Sequence, residues 1–391
     1  MKILQVSNFF KPSFESGGVA RVAYDISKYL MNDGYKVTVF TTNKCMENIY
    51  VKANKPLCLE GIKVYYFENL RKYFSINCPP IPYYSLFIVK KIIKDFDVVH
   101  IHEHRTMLAI IVSYYSRKYG VPYVLQPHGS ILPIIQKQQS KQIFDVFFGN
   151  QILNGASKII ALNKIEAEQI TKMGIDKSKI EIIPNGIDIS EYSNLSKKGE
   201  FKKKYLIGDA TKIILYLGRT DKIKGIDLLI DAFSSLLEDL DNIMLVIVGP
   251  ISNNLPLLVK QVEDLNIDDK VVFTGPLYGK DKLEVYQDAD IYVLPSRYET
   301  FPITVLEACA CGTPVIITNK CGIADIVDGR LGDVVEFDKN ELKNKLLEFF
   351  KSNKYIKYCH CDQVVKQEFN WLNVIRMFEK VYQEIISTQS E

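Results

Sequence analysis

Pro295-Ser296-Arg297-Tyr298-Glu299-Thr300-Phe301-Pro302-Ile303-Thr304-Val305-Leu306-Glu307-Ala308-Cys309-Ala310-Cys311-Gly312-Thr313-Pro314-Val315-Ile316 is the stretch whose reading decides the fold. The apolar run Ile291 to Leu294 leads into it as a strand, a helix starts near Pro302 and stops at Gly312, and a second strand starts at Thr313. Proline in the first helical turn and glycine just past the end are the expected punctuation, because proline lacks an N–H the helix start does not need and glycine tolerates the reversed backbone. Glu299 and Glu307 stand eight residues apart. At ~1.5 Å rise per residue they lie up to ~12 Å apart along a helix axis, too far to share a proton. They suit the two ends of one extended polar ligand. A helix N-terminus, where free N–H groups and the dipole attract phosphate, lies between them. Carboxylate, anion site and carboxylate in this order match a sugar, a diphosphate and a ribose.

Outward from this stretch, strands alternate with helices, the pattern of parallel sheets with crossover helices. In the first half, β-rich apolar runs sit at 2–7, 36–42, 62–67, 97–102, 121–126, 157–161 and 179–183, with amphipathic patterns at 19–32, 105–119 and 163–173. The second half repeats the scheme, with strands at 212–218, 243–249, 270–274, 290–294, 313–317 and 333–337 and helices at 225–238, 254–266, 279–287 and 302–311. A polar stretch at 189–200 follows the turn-rich Pro184-Asn185-Gly186-Ile187-Asp188 and marks the break. The expected fold class is α/β, with Rossmann-like domains over 1–190 and 191–369 and a last helix at about 370–391. Ligands of open α/β sheets bind beyond the carboxyl ends of the strands, so both halves are expected to offer loops to one cleft.

The 295–316 stretch resembles the E-x7-E motif of retaining glycosyltransferases of family four, whose fold is GT-B. The resemblance extends over nearly the whole chain through Gly17-Gly18, Gln126-Pro127-His128-Gly129-Ser130, Ile183-Pro184-Asn185-Gly186-Ile187-Asp188, and Leu217-Gly218-Arg219 followed by Lys224-Gly225. It implies a donor held by the second domain, with Glu299 on the sugar hydroxyls and Glu307 on the ribose. The resemblance also puts Thr300, Phe301 and Ile303 in this donor site. This chain has Thr300 where many relatives have glycine, and Pro302 where some supply a backbone N–H. Arg219 and Lys224 would hold the diphosphate, Arg through a planar fork and Lys as a point charge, and would stabilise charge on the leaving group. His128 would contact the donor sugar near the reacting carbon, and the last helix would pack back on the first domain. The glycines of Gly17-Gly18 let backbone approach a phosphate or sugar closely. The surrounding Ser16-Gly17-Gly18-Val19-Ala20-Arg21 is not G-x-G-x-x-G, which disfavours a dinucleotide-dependent oxidoreductase.

Charge is unevenly spread along the 391 residues. Residues 1–190 hold 24 Lys/Arg against 15 Asp/Glu (+9), and residues 191–391 hold 25 against 31 (−6). The positive half suits an anionic surface or a solvated basic face. Leu70 to Lys94 mixes Arg71, Lys72, Lys90, Lys91 and Lys94 with Tyr73, Phe74, Tyr83, Tyr84 and Phe87, as a membrane interface or a lipid-diphosphate acceptor would require. A core-facing helix with a solvated face is the alternative. No apolar run reaches the ~18 residues of a membrane helix. Met1 to Asn8 reads as a first strand and not as a signal peptide. The eight cysteines follow no framework spacing, so free thiols in a reducing cytoplasm are expected. His100, His102 and His104 alternate along one strand and could share a face as metal ligands. Their buried run instead resembles the family's Asp-Val-Val-His-Ile-His. Cys359-His360-Cys361 is too compact for a good tetrahedral site.

The expectation is thus a hexosyltransferase that passes sugar with retention from a nucleoside-diphosphate sugar to a lipid-linked or polysaccharide glycan. It needs no cofactor, no metal and no nucleic acid. The place expected for it is the cytoplasm, as a peripheral protein on the inner face of the membrane. The competing readings are a catalytically silent nucleotide-sugar-binding subunit and a phosphorylase or epimerase of the same fold.

Overall fold

The computed structural model describes residues 1–14, 17–43, 55–69, 80–131, 138–352, 358 and 360–390. The chain forms two compact units, Met1–Gly186 with Trp371–Glu391, and Ile187–Asn370.

The first unit holds eight strands: β1 (Lys2–Val6), β2 (Lys36–Thr42), β3 (Pro56–Leu59), β4 (Ile62–Phe67), β5 (Val98–His102), β6 (Tyr123–Gln126), β7 (Lys158–Ala161) and β8 (Ile180–Ile182). They lie in the order β3-β4-β2-β1-β5-β6-β7-β8. All neighbours are parallel except β3, which turns back antiparallel on β4. The sequence reading gave no strand at 56–59. The segment is short and opens on a proline, which a sheet tolerates only at an edge, and Leu57 is exposed there. The inner strands are buried on both faces, so they read as continuous apolar runs without alternation; Leu4, Val6, Val99, Ile101, Leu125 and Ile159 form the core. The last helix, Trp371–Ser390, belongs to this unit. Trp371 is fully buried, and its indole Nε1 donates to Asp25 at 3.2 Å. A Cβ on Gly186 would fall 2.7 Å from the indole, so only glycine fits the Pro-Asn-Gly turn there.

The second unit holds a wholly parallel sheet of β9 (Lys212–Leu217), β10 (Ile243–Val248), β11 (Val271–Gly275), β12 (Ile291–Leu294), β13 (Val315–Thr318) and β14 (Gly332–Val335), ordered β11-β10-β9-β12-β13-β14. β9 is followed on one side by β10 and neighboured on the other by β12, so the strand order reverses between β9 and β12. In the first unit the reversal falls between β1 and β5. At such a point two crossovers leave in opposite directions and open a crevice at the carboxyl ends of the strands. The loops that follow β9 and β12 carry Arg219, Lys224 and Glu299. Those that follow β1 and β6 carry Gly17, Gly18 and His128.

Candidate functional site

In the second unit, the loops after β9 and β12 are clasped together. Gly225 sits at φ 68°, and a Cβ there would stand 1.9 Å from the Pro295 carbonyl oxygen. The Lys-Gly pair therefore requires glycine on two counts, backbone conformation and close approach. Arg297 closes the clasp: its N–H donates to Ile223 O at 2.8 Å and its guanidinium to Lys222 O at 2.7 Å. The same guanidinium grips Asp227 with a two-pronged pair at 2.8 and 2.6 Å and lies over the Phe337 ring. Glu299 is pinned next. Its N–H donates to Lys320 O at 3.1 Å, and its carbonyl accepts from Gly322 N at 2.7 Å. So held, the Glu299 carboxylate pairs with Lys224 Nζ, both side chains being largely buried.

The helix that follows, Ile303–Ala310, starts after Pro302 with no side chain capping it and no acidic residue in its first turn. Thr300 precedes it, and Ile303 is its first residue. Phe301 is buried and packs against Phe369 at 6.5 Å, so its ring belongs to the core. Glu307, one turn in, accepts from Lys282 Nζ at 2.9 Å and from the Tyr286 hydroxyl at 3.1 Å. Arg219 extends further into solvent, 67% exposed, and pairs with Asp221 at 2.9 Å. The structure brings Lys224 and Glu299 together; it does not bring Arg219 onto either of them.

Three groups at this site escaped the sequence reading. Lys282 and Tyr286 lie four apart on the helix Gly279–Asp288, so they share a face, the one signal that could have paired them with Glu307. Tyr292, at the core of β12, donates to Thr304 Oγ1 at 2.7 Å and locks the first helical turn. Burial holds the Tyr286 and Tyr292 phenols well above the ordinary tyrosine range, so both are neutral donors. Burial, and then the nearby Glu299 charge, pushes the Cys321 thiol up to about 12.

In the first unit, Gly17 at φ 122° caps the helix that Gly18 opens. His128 ends the β6 loop at φ 55°, a conformation uncommon for a residue with a side chain. Its Nε2 shares a hydrogen bond with His102 Nδ1 at 2.9 Å, and His102 Nε2 bonds Gln5 Oε1 at 2.8 Å. His100 Nδ1 bonds the Tyr382 hydroxyl at 2.8 Å. Burial lowers the His100 and His128 imidazoles to about 3 and that of His102 well below its ordinary value, so the chain of rings is neutral. The loop itself is held by Glu166, which accepts from Gly129 N at 2.5 Å and from Leu162 N at 2.8 Å.

The three alternating histidines do not share one face. His100 and His102 stack at 4.3 Å, but Glu103 takes φ 65° and breaks the strand alternation. His104 turns instead toward Ser130 Oγ at 3.4 Å and Asp145 at 3.7 Å. Among the described residues no group of three or more His, Cys, Asp or Glu is arranged to hold a metal ion. The Asp-x-Asp triplets 95–97, 239–241 and 288–290 each stand just before a strand, at the edge of the sheet opposite the loops above. Cys359 and residues 70–79 of the basic-aromatic stretch lie outside the described residues. From Pro80 on, the stretch forms the helix Ser85–Ile92, with Tyr83, Tyr84, Leu86 and Phe87 exposed. The core-facing alternative fits the other side of that helix, where Ser85 and Val89 are buried and Ile88 and Ile92 pack against the core. No helix among the described residues is long and apolar enough to cross a membrane.

Similarity to known proteins follows the two units. Residues 16–191 match the model of Glycosyltransferase Family 4, and residues 197–362 match that of Glycosyl transferases group 1. An uncharacterized glycosyltransferase of Methanocaldococcus jannaschii is 26% identical, covering 98% of each chain. The mannosylfructose-phosphate synthase of Agrobacterium fabrum is 28% identical over 69% of this chain and 64% of its own. Among solved structures, Anabaena HepE in complex with UDP aligns with a TM-score of 0.78 at 18% identity, covering 98% of this chain and 100% of that one, a likeness of fold. With both halves matched in order and the GT-B fold in place, the chain belongs to the group 1, family 4 glycosyltransferases.

Proposed function

We propose that this glycosyltransferase moves a hexosyl unit, with retention, from a nucleoside-diphosphate hexose to a glycan hydroxyl, without a metal ion. The observation that carries the reading is the pairing of Lys224 with Glu299 at the strand-order reversal of the second sheet, beside an uncapped helix start. A cation, free N–H groups and a carboxylate stand there in the order phosphate and sugar require. Lys224, the helix start and the exposed Arg219 take the diphosphate and stabilise the charge that builds on it as the sugar leaves. Glu299, released from Lys224, accepts from sugar hydroxyls, and Glu307 accepts from the ribose beside Lys282 and Tyr286. His128, neutral and hydrogen-bonded through His102, offers its ring to the sugar near the reacting carbon. Fixed cations do the electrostatic work that a metal does elsewhere. HepE, whose fold this chain shares, carries UDP in its crystal, which favours a uridine donor as the first to test.

The acceptor in this reading is lipid-linked or polymeric, met at an anionic bilayer surface. Exposed Leu86 and Phe87 stand on one helix, and exposed Ile143, Val146, Phe147 and Phe148 on a second segment. Leu86, Tyr114, Arg117, Phe147 and Phe148 line one open groove, so the two segments form one apolar shelf. Lys90 and Lys91 close the first helix, and Arg117 and Lys118 close the helix Met107–Tyr119. Apolar side chains with a basic rim match an anionic lipid surface.

The test is a panel of uridine, guanosine and adenosine diphosphate hexoses offered to the purified chain. Thermal shift reads binding, and released nucleoside diphosphate reads turnover. Stabilisation by one donor class, with turnover lost in Lys224→Ala, is the expected result. Binding without turnover to any acceptor or to water would leave only the silent-subunit reading.

A further inference from the structure

No residue above is assigned to the acceptor, and the first unit holds a carboxyl group with nothing to do. Glu103 stands immediately after β5, at the strand-order reversal between β1 and β5. Its N–H still donates to Gln126 O at 2.9 Å, continuing the strand ladder. Its backbone then turns to φ 65°, which glycine adopts freely and glutamate does not. Its carboxyl is half-buried and has no hydrogen bond or ion pair among the described residues. Arg105, two residues on, is engaged elsewhere: its guanidinium bonds Asp145 at 2.9 and 2.6 Å and the carbonyls of Ser130 and Ile131. No neighbouring charge acts on the carboxyl, and burial alone raises it to about 7.

The adjacent strand ends the same way. The last paired residues of β1 and β5 are Val6 and Ile101, and Asn8 and Glu103 each stand two residues beyond them. Asn8 is buried, and its Oδ1 has no partner among the described residues. Buried polar groups are ordinarily satisfied, because an unmet acceptor keeps its full desolvation penalty. A strained backbone that holds an unmet, half-buried carboxyl at the place where open α/β sheets bind ligands marks a site whose partner arrives from outside.

Resting on the transferase reading, we propose that Glu103, with Asn8 beside it, binds the acceptor by accepting hydrogen bonds from hydroxyls of an uncharged sugar ring. Hydroxyl donors favour the ionised form of the carboxyl, and the carboxylate so formed repels phosphate. The inference therefore narrows the acceptor class to one whose receiving ring bears no phosphate at this position.

The experiment uses the full chain with the donor selected from the nucleotide-sugar panel. Glucose, octyl β-D-glucoside and glucose 6-phosphate serve as acceptor probes, and water serves as the background acceptor. Glu103→Gln and Glu103→Ala are compared with the parent. Transfer efficiency to the neutral probes is expected to fall about 10- to 100-fold, the worth of one charge-assisted hydrogen bond, while hydrolysis, which uses no acceptor sugar, holds within about twofold. The relative use of glucose 6-phosphate should rise in Glu103→Gln. Stabilisation by the free nucleoside diphosphate should be unchanged, and the variants should melt at or above the parent's temperature, since an unmet buried carboxyl is removed. Efficiency within about twofold of the parent would overturn the proposal. So would a lowered melting temperature, which would reveal a structural partner, or loss of nucleoside-diphosphate binding, which would place Glu103 on the donor. A folded parent that releases no nucleoside diphosphate from any donor overturns the transferase reading itself, a failure seen in the parent and not in the variants.

Discussion

Glu299→Ala separates sugar-side chemistry from phosphate binding. Glu299 and Lys224 are paired with side chains 19% and 16% exposed, between a surface pair and a buried one. Removing the carboxylate leaves Lys224 without its counterion, a loss of about 1–3 kcal/mol of folding stability. In a unit of this size that lowers its melting by roughly 2–12 °C. One lost hydrogen bond from a sugar hydroxyl to a carboxylate is about 1.5–3 kcal/mol, which is about 10- to 150-fold in kcat/KM. Nucleoside-diphosphate binding moves the other way. Lys224 no longer has to leave an anion to meet the diphosphate, so affinity stays level or rises by up to about fivefold, the equivalent of ~1 kcal/mol. Calorimetry with the free nucleoside diphosphate and release kinetics with the nucleotide sugar give both numbers on one preparation. Parallel losses in binding and turnover, or undiminished turnover, would refute a sugar-side Glu299.

Four further outcomes are expected. Turnover should survive EDTA, measured as nucleoside-diphosphate release; a loss restored by Mg²⁺ or Mn²⁺ would overturn the metal-free mechanism. Gly225→Ala should destabilise the second unit by about 1–3 kcal/mol for its backbone alone, and by more because its Cβ would overlap the Pro295 carbonyl; an unaltered melting curve would contradict that approach. Anionic vesicles should sediment the chain at low salt and release it as salt shortens screening toward ~8 Å. Serine at Phe147 and Phe148 with glutamine at Lys90 and Lys91 should weaken that binding while donor binding holds. Finally, burial pushes the His100 imidazole down to about 3 in the fold, against about 6.5 unfolded. The unfolded chain binds the extra proton between those values, so stability falls as pH drops below about 6.5, by about 2 kcal/mol at pH 5. His100→Gln should flatten the fall in melting temperature between pH 7 and 5.

What the chain revealed in its sequence is what repeats locally. The inner strands carry apolar runs because both faces of a parallel sheet are covered, and β9, Lys212–Leu217, is legible for that reason. The Lys-Gly and E-x7-E segments were legible because loop chemistry demands particular residues at fixed offsets. The partners were not. Nothing in the helix 279–288 says that Lys282 will meet Glu307, because that contact depends on how the helix packs. The histidine alternation does not carry His104 onto the face of His100 and His102 because one residue, Glu103, leaves the extended conformation. The strand 56–59 was too short and too exposed to carry a pattern. The shelf of Ile143 to Phe148 escaped because exposed apolar residues look like core until the neighbouring elements are placed.

On the donor reading proposed above, the ion pairs of the second unit give it a means of choosing its ligand. Lys224 is occupied by Glu299, and Lys282 by Glu307. A bare phosphate that takes Lys224 strands a largely buried carboxylate, which is unfavourable. A nucleotide sugar brings phosphate for the lysine and hydroxyls for the carboxylate in one molecule, so each partner that separates is met again. Discrimination then comes from what is left unpaired with the wrong ligand as much as from contacts with the right one. The same reasoning explains why removing Glu299 is expected to loosen selectivity toward free phosphates while it weakens transfer. It also sets the two units apart. In the second, Glu299 and Glu307 are paired with lysines, and in the first, Glu103 has no such partner among the described residues, which is why it is proposed to take a neutral hydroxyl and not a second anion.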